Sequence, residues 1–228
     1  VEFSYKAETG LTEEIIRGDI AIQDGIIAGI GSFHGKEERD LAGRYVCPGF
    51  IDSHLHLEST LVTPAELVTA ASRHGTTTFI VDPHESANVS GLAGIDYILD
   101  QTEDVKANVY VMMPSCVPAT AIDDNGCTLT AEDMVPYLHN SRILGLGEVM
   151  DSISVVQGEK SMHDKLELFE GRIRDGHAPF LEEGDLQAYA MAGIATDHEC
   201  SFFDYAMRER RNGLTILVRE GSAARNLE

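Results

Sequence analysis

Apolar positions along this chain fall into two textures. From residue 19 to 31, Asp-Ile-Ala-Ile-Gln-Asp-Gly-Ile-Ile-Ala-Gly-Ile-Gly sets two β-favouring runs on either side of Asp24-Gly25. That dipeptide tolerates the positive φ of a tight hairpin turn, so residues 1 to 45 read as a small β module. After Pro48-Gly49 the apolar runs alternate with helical segments, the pattern of successive βα units around a parallel sheet. Seven strands are predicted, at 50–57, 76–81, 108–113, 143–149, 172–176, 193–196 and 214–219, the fifth only weakly apolar.

Helix starts are marked between these strands. Thr63-Pro64-Ala65-Glu66 combines a capping box with proline at the first helical position, and Gly75 follows as a stop signal. Thr130 with Asp133, Ser161 with Asp164, and Ser201 with Asp204 repeat the Ser/Thr-x-x-acid spacing, while 151–160 reads as the longest irregular stretch. Their phase predicts an α/β fold, a TIM-like (β/α) barrel over 46–228 with about seven βα units; an open doubly wound sheet is the alternative.

Charge narrows the partners. Lys plus Arg number 17 against 38 Asp plus Glu, a net charge of −21 that repels phosphate backbones and anionic lipid surfaces. No nucleic-acid or membrane partner is expected. No apolar run approaches the roughly 20 residues of a membrane span, and the N-terminus lacks signal-peptide character, so a cytoplasmic location is expected. The four widely spaced cysteines form no CxxC pair and are expected to be reduced. A homo-oligomer is an option that the sequence leaves open.

The chemistry concentrates at strand ends. In the first barrel strand Asp52, His54 and His56 share one face, because side chains alternate with a period of two, while Ile51, Leu55 and Leu57 share the other and can pack on helices. Five of the nine histidines, His54, His56, His84, His177 and His198, fall at the end of a predicted strand or directly after it. Barrel enzymes place their chemistry at that rim, and neutral imidazole is the commonest ligand of borderline divalent metals. A metal centre is the economical explanation. His34, His74, His139 and His163 fit helix ends or loops and carry no assigned role. Glu148, within Gly145-Leu146-Gly147-Glu148-Val149, closes a strand expected to be buried on both faces. An unpaired carboxylate is costly there, so a cation bridge suits it better than the alternative of an exposed strand-end acid.

Pro48-Gly49-Phe50-Ile51-Asp52-Ser53-His54-Leu55-His56-Leu57-Glu58-Ser59 resembles the opening strand of the amidohydrolase superfamily in the form its adenine deaminases carry. The resemblance continues in order through Asp82-Pro83-His84-Glu85, Gly147-Glu148-Val149-Met150, Gly176-His177-Ala178-Pro179, Asp197-His198-Glu199 and Arg219-Glu220-Gly221-Ser222-Ala223. It implies a site for two divalent metal ions (Mn, Fe or Zn) held by His54, His56, His177 and His198, with Glu148 as the bridge in place of the carboxylated lysine of many amidohydrolases. The implied reaction is hydrolytic deamination of adenine to hypoxanthine and ammonia, in purine salvage. His84 and Glu85 are candidates for substrate contact or proton transfer, against the plainer reading of a capping histidine and a helix N-terminal acid. Asp82 and Glu199 are expected to orient the imidazoles. Other zinc nucleobase deaminases use His-x-Glu with Pro-Cys-x-x-Cys, which is absent.

One departure bears on activity. The superfamily takes a further metal-ligating aspartate from an eighth strand, which the predicted elements do not include. On the resemblance, the chain is then the N-terminal part of a longer product or a degenerate relative, and alone would be inactive. Competing readings are another amidohydrolase acting on a cyclic amide or imide, and a non-catalytic metal-binding fragment.

Overall fold

A computed structural model describes residues 15–120, 122–222 and 224–227. Residues 1–14 of the predicted β module and Ala223 of the last motif lie outside the described residues. The chain divides into two compact units, one up to Gly49 and one from Phe50 onward.

In the first unit, β1 (Asp19–Gln23) and β2 (Ile26–Gly31) form an antiparallel hairpin. Asp24 and Gly25 both take positive φ, 52° and 76°, the turn predicted from that dipeptide.

The second unit is an α/β fold. Strands β3 (Phe50–Leu55), β4 (Thr76–Val81), β5 (Asn108–Met113), β6 (Ile143–Val149) and β7 (Ile173–Gly176) pair in sequence order, every pair parallel. β8 (Thr196–Asp197) and β9 (Thr215–Ile216) pair with each other, again in parallel. Between them run α1 (Pro64–Ser72), α2 (His84–Ser90), α3 (Leu92–Gln101), α4 (Ala131–Met134), α5 (Ser152–Gln157), α6 (Lys160–Leu168), α7 (Glu183–Met191) and α8 (Phe203–Arg211). The result is an incomplete TIM-like barrel in which each of β3 to β8 is followed by helix. A strand forms near each of the seven expected places, but the first stops at Leu55, before His56, the sixth is shifted to Thr196–Asp197 and the seventh shrinks to Thr215–Ile216. None of the helices among the described residues is long and apolar enough to cross a membrane.

The core explains the order. β5 and β6 are the most buried strands, with Val109, Val111, Met113, Ile143, Leu146 and Val149 among the side chains closed off from water. β3 lies at the sheet edge. Leu57 just beyond it is fully buried, yet Ile51 is 62% exposed, so the expectation that Ile51 packs on helices is corrected.

Several helix starts also differ from the sequence reading. Thr130 and Asp133 form a reciprocal capping box, but Thr63 makes no side-chain cap although Pro64 opens the helix as expected. Ser161 sits inside α6, where Asp164 binds Lys160 at 2.6 Å, and Ser201 lies before Phe202, the residue at the start of α8. Residues 151–160 are not irregular: Asp151 caps α5 by accepting from the Ser154 N–H at 2.9 Å. The irregular stretches are instead 32–49 and the described residues of 114–130.

Candidate metal centre

The ends of β3, β4, β7 and β8 bring all five singled-out histidines into one cluster. The His54 ring stacks on His198 at 3.8 Å between centroids and meets His56 edge-on at 4.9 Å. His56 meets His84 at 4.7 Å, and His198 meets His177 at 5.3 Å.

Glu148 stands in their midst, 2% exposed. Its Oε1 is 2.8 Å from His54 Nε2, 3.0 Å from His56 Nε2 and 3.6 Å from His198 Nε2, while Oε2 is 3.1 Å from His177 Nδ1. One carboxylate thus reaches four imidazoles, two sets of donors sharing a single residue. His54, His56 and Glu148 form one group able to hold a cation, and Glu148, His177 and His198 another.

Hydrogen bonding on the far side of two rings sets what they offer the centre. His56 Nδ1 lies 2.8 Å from the Asp82 main-chain oxygen, which can only accept, so Nδ1 carries the proton. His54 Nδ1 lies 2.9 Å from Asp175 Oδ2 and donates in the same way. Both Nε2 atoms therefore turn toward Glu148, only 3.2 Å from each other. Glu148 Oε1 is buried with no N–H aimed at it despite the short distances, and His198 Nδ1 is also buried without a partner. Three donor atoms crowded around one point, one of them orphaned, fit a cation better than a set of hydrogen bonds.

The electrostatics of the site favours positive charge. Burial works against the imidazolium of His54, but Asp175 and Glu148 overcome it and push its pKa up to about 10. For His56, burial is likewise overcome by Glu148, giving about 9. Burial also opposes charge on Glu148, yet His177, His54 and His56 hold its carboxyl far below the usual carboxylate range. His198 is driven the other way, to about 4, by burial and then by His54. The pocket is built to keep Glu148 anionic, and positive charge placed among its ligands is stabilised.

The backbone of Glu148 is held from both sides. Asp82 Oδ2 accepts its N–H at 2.7 Å, and Ser115 Oγ donates to its carbonyl at 2.5 Å. The buried Lys165 donates to the Ser115 carbonyl at 2.6 Å, tying α6 to the end of β5. Tyr189 accepts the His177 N–H at 2.9 Å and donates to the Val149 carbonyl at 2.6 Å, joining the segments of His177 and Glu148.

Placement of the remaining sequence candidates is mixed. Asp82 orients His56 through its main-chain oxygen, whereas its carboxylate grips Glu148. Glu199 lies 3.7 Å from His198 Nε2 and 3.9 Å from His177 Nδ1, outside hydrogen-bond reach, and is clamped by Arg219, with an NH2–Oε2 distance of 3.2 Å. The carboxylate that does orient an imidazole is Asp175, which the sequence reading missed. His84 opens α2 with its Nδ1 3.6 Å from Asp82 Oδ1. Glu85 is exposed beside it and accepts from Ser59 Oγ at 2.6 Å. Glu58, also not singled out, accepts the N–H groups of Glu85 and Ser86 at 3.1 and 3.2 Å and so fixes the start of α2.

Histidines and a buried carboxylate converge at the strand ends of a (β/α) barrel, and the Amidohydrolase family model matches residues 45–221. The chain belongs to the amidohydrolase family. It is 60% identical over 216 residues to an adenine deaminase of Desulfitobacterium hafniense (strain Y51), covering 95% of this chain and 38% of the relative. An adenine deaminase of Clostridium acetobutylicum is 48% identical over 219 residues, with coverage of 95% and 38%. The chain thus spans about two fifths of the length of these curated relatives. Among solved structures, N-acetyl-D-glucosamine-6-phosphate deacetylase from Mycobacterium smegmatis shares the fold at a TM-score of 0.55 and 13% identity, covering 94% of this chain and 62% of that one. A 5-methylcytosine deaminase from Klebsiella pneumoniae does so at 0.50 and 15%, covering 94% and 64%.

Proposed function

We propose that this chain supplies the metal-binding part of an enzyme that hydrolyses adenine to hypoxanthine and ammonia. The observation that carries this reading is the convergence of His54 Nε2, His56 Nε2 and the orphaned Glu148 Oε1, backed by the adenine deaminases among the relatives. His54, His56, His177 and His198 would hold two divalent cations, with Glu148 as the carboxylate shared between them. Imidazole with a single carboxylate suits Mn, Fe or Zn alike, so availability selects among them. Bound divalent cations supply acidification of a water, which makes hydroxide accessible near neutral pH.

The protein's own groups do the rest. Asp175 and the Asp82 carbonyl hold the His54 and His56 rings in the tautomer that turns Nε2 inward. Glu148 keeps the centre compensated in charge. His84 and Glu85, at the mouth of β4, are the groups proposed to contact the purine and to handle its protons, with Ser59 and Glu58 fixing Glu85 in place.

Asp175→Asn is expected to lower metal affinity by about 10- to 100-fold with the fold retained, the scale for losing the partner of a ligating imidazole. Metal titration of the variant alongside circular dichroism checks this. Glu85→Gln is expected to leave metal content unchanged and to reduce kcat/KM for adenine by about tenfold or more. Unchanged kcat/KM would remove Glu85 from the proton path.

The decisive assay follows ammonia release from adenine, and ring opening of dihydroorotate and hydantoin to their carbamoyl amino acids, by the whole protein loaded with Mn, Fe or Zn. Turnover of adenine alone is the expected result. Turnover of a cyclic amide in its place would overturn the substrate assignment, and none with any substrate would favour a non-catalytic metal-binding role.

A further inference from the structure

Helix α8 carries a side chain that the metal centre leaves out. Glu209 is 0% exposed, and neither Oε1 nor Oε2 meets a hydrogen-bond partner. A carboxylate in that condition is costly. Its neighbours are Asp197 and Cys200, with one donor atom from each of the three residues lying within 4.8 Å of the others. Asp197 is equally buried and already engaged: Oδ1 accepts the Ala178 N–H at 2.7 Å, and Oδ2 accepts those of Glu199 at 2.8 Å and Cys200 at 3.0 Å. Three N–H donors mark Asp197 as the acceptor of the pair. Two carboxylates this close and this buried do not both stay ionised, and a single shared proton satisfies both.

We propose that Glu209 is held as a neutral acid whose O–H donates to Asp197, and that this pair fixes the two segments carrying His177 and His198. Glu209 is a positioning residue acting through Asp197, whose three N–H contacts lie on residues next to or near those histidines. Only this link to the metal centre rests on the function proposed above; the shared proton does not.

Burial, and then the charge of Asp197, push the Glu209 pKa up to about 8. The other groups facing it are Cys200, whose thiol is raised to about 12 by burial and then by Glu209, Tyr205, and Arg208, whose guanidinium lies 4.9 Å from the Tyr205 ring centroid. Tyr205 strengthens the same grip. Its hydroxyl donates to the Ala178 carbonyl and accepts the Leu181 N–H at 2.8 Å, so α8 holds the His177 segment at a second point.

The sign of the pH effect follows from the proton. Between the ordinary glutamate value of 4.5 and about 8, folded protein keeps the proton and unfolded protein does not, so stability falls as pH rises through that window. Glutamine is close in shape, can donate to Asp197 through its amide and does not titrate. The test compares thermal unfolding midpoints of the whole protein and of Glu209→Gln from about pH 5 to about pH 8, with and without chelator. The expected result is that the unsubstituted protein loses several degrees relative to Glu209→Gln across this range, and by the same amount when chelated. Parallel curves would overturn the proposal. So would a difference present only with divalent cations, which would place a cation between the carboxylates instead. Should Glu209→Gln fail to fold, infrared spectroscopy of the unsubstituted protein decides: a buried protonated-carboxyl band near neutral pH that vanishes above about pH 8 supports the shared proton, and its absence overturns it. None of these readouts involves adenine, so failure of the proposed function would leave them standing.

Discussion

Glu148→Gln in the whole protein is expected to cut adenine turnover by about three orders of magnitude or more and to lower the bound divalent metal with it. The side chain changes little in shape, so the fold should survive. What changes is charge and lone pairs: the amide places an NH2 group where Oε1 or Oε2 faces imidazoles at 2.8 to 3.1 Å. In one orientation that group donates toward His54 and His56 and occupies the position proposed for a cation. In the other it faces His177 and breaks the second donor group. Neither orientation supplies the anion that four imidazoles surround. Metal analysis together with adenine turnover measures both effects, and wild-type levels of each would exclude a bridging role for Glu148.

Gly147→Ala is expected to be nearly as damaging, although Gly147 touches no proposed ligand position itself. A Cβ built at Gly147 would sit 2.2 Å from Asp82 Oδ2 and 2.8 Å from its Cγ. Asp82 is 1% exposed and cannot swing into solvent. Relief must come by breaking its hydrogen bond to the Glu148 N–H or by shifting β6 against β4, and either moves the carboxylate on which both donor groups depend. Overpacking of this kind costs about 1–3 kcal/mol in stability. The larger expected loss is functional, at least about 100-fold in turnover, because displacement by about 1 Å is enough to cost that much in a positioned site. Retained metal binding and turnover in a folded Gly147→Ala protein would show that the Asp82 contact is dispensable.

How much of this was legible beforehand differs by kind of interaction. Strand positions were legible because β-branched and apolar runs such as Thr76–Val81 and Asn108–Met113 sit between helix signals, and the Asp24-Gly25 turn was legible because its φ demand is local. The histidine cluster was legible because strand ends in a (β/α) barrel share one rim. Helix caps were less so: Ser161 and Ser201 carry the right spacing, but the chain enters α6 and α8 at Glu159 and Phe202 instead. Contacts between distant segments were the least legible. Asp175 lies in a run, Ile-Arg-Asp-Gly, whose alternation is too weak to show which way its acid points, although a carboxylate two residues before His177 at a buried strand end was the available clue. Glu199 was misplaced because adjacency to His198 says nothing about Arg219, which lies 20 residues on and claims it. Glu209 gives no sequence signal, since on a helix ending in three arginines it reads as one more solvated charge.

Each strand of the five-stranded sheet pairs with the next in the chain, so the sheet itself is made of short-range closures. The bond from His54 to Asp175 is of another kind, closing 121 residues at once. In folding terms the sheet can grow strand by strand, whereas the histidine centre must wait for β3 and β7 to be brought across from one another. Cations held there would then act as a clasp between the first and last strands of that sheet, adding stability through binding to the closed form alone. Amide exchange in β3 and β7 would slow with metal loading more than in β5, whose protection its own neighbours already provide.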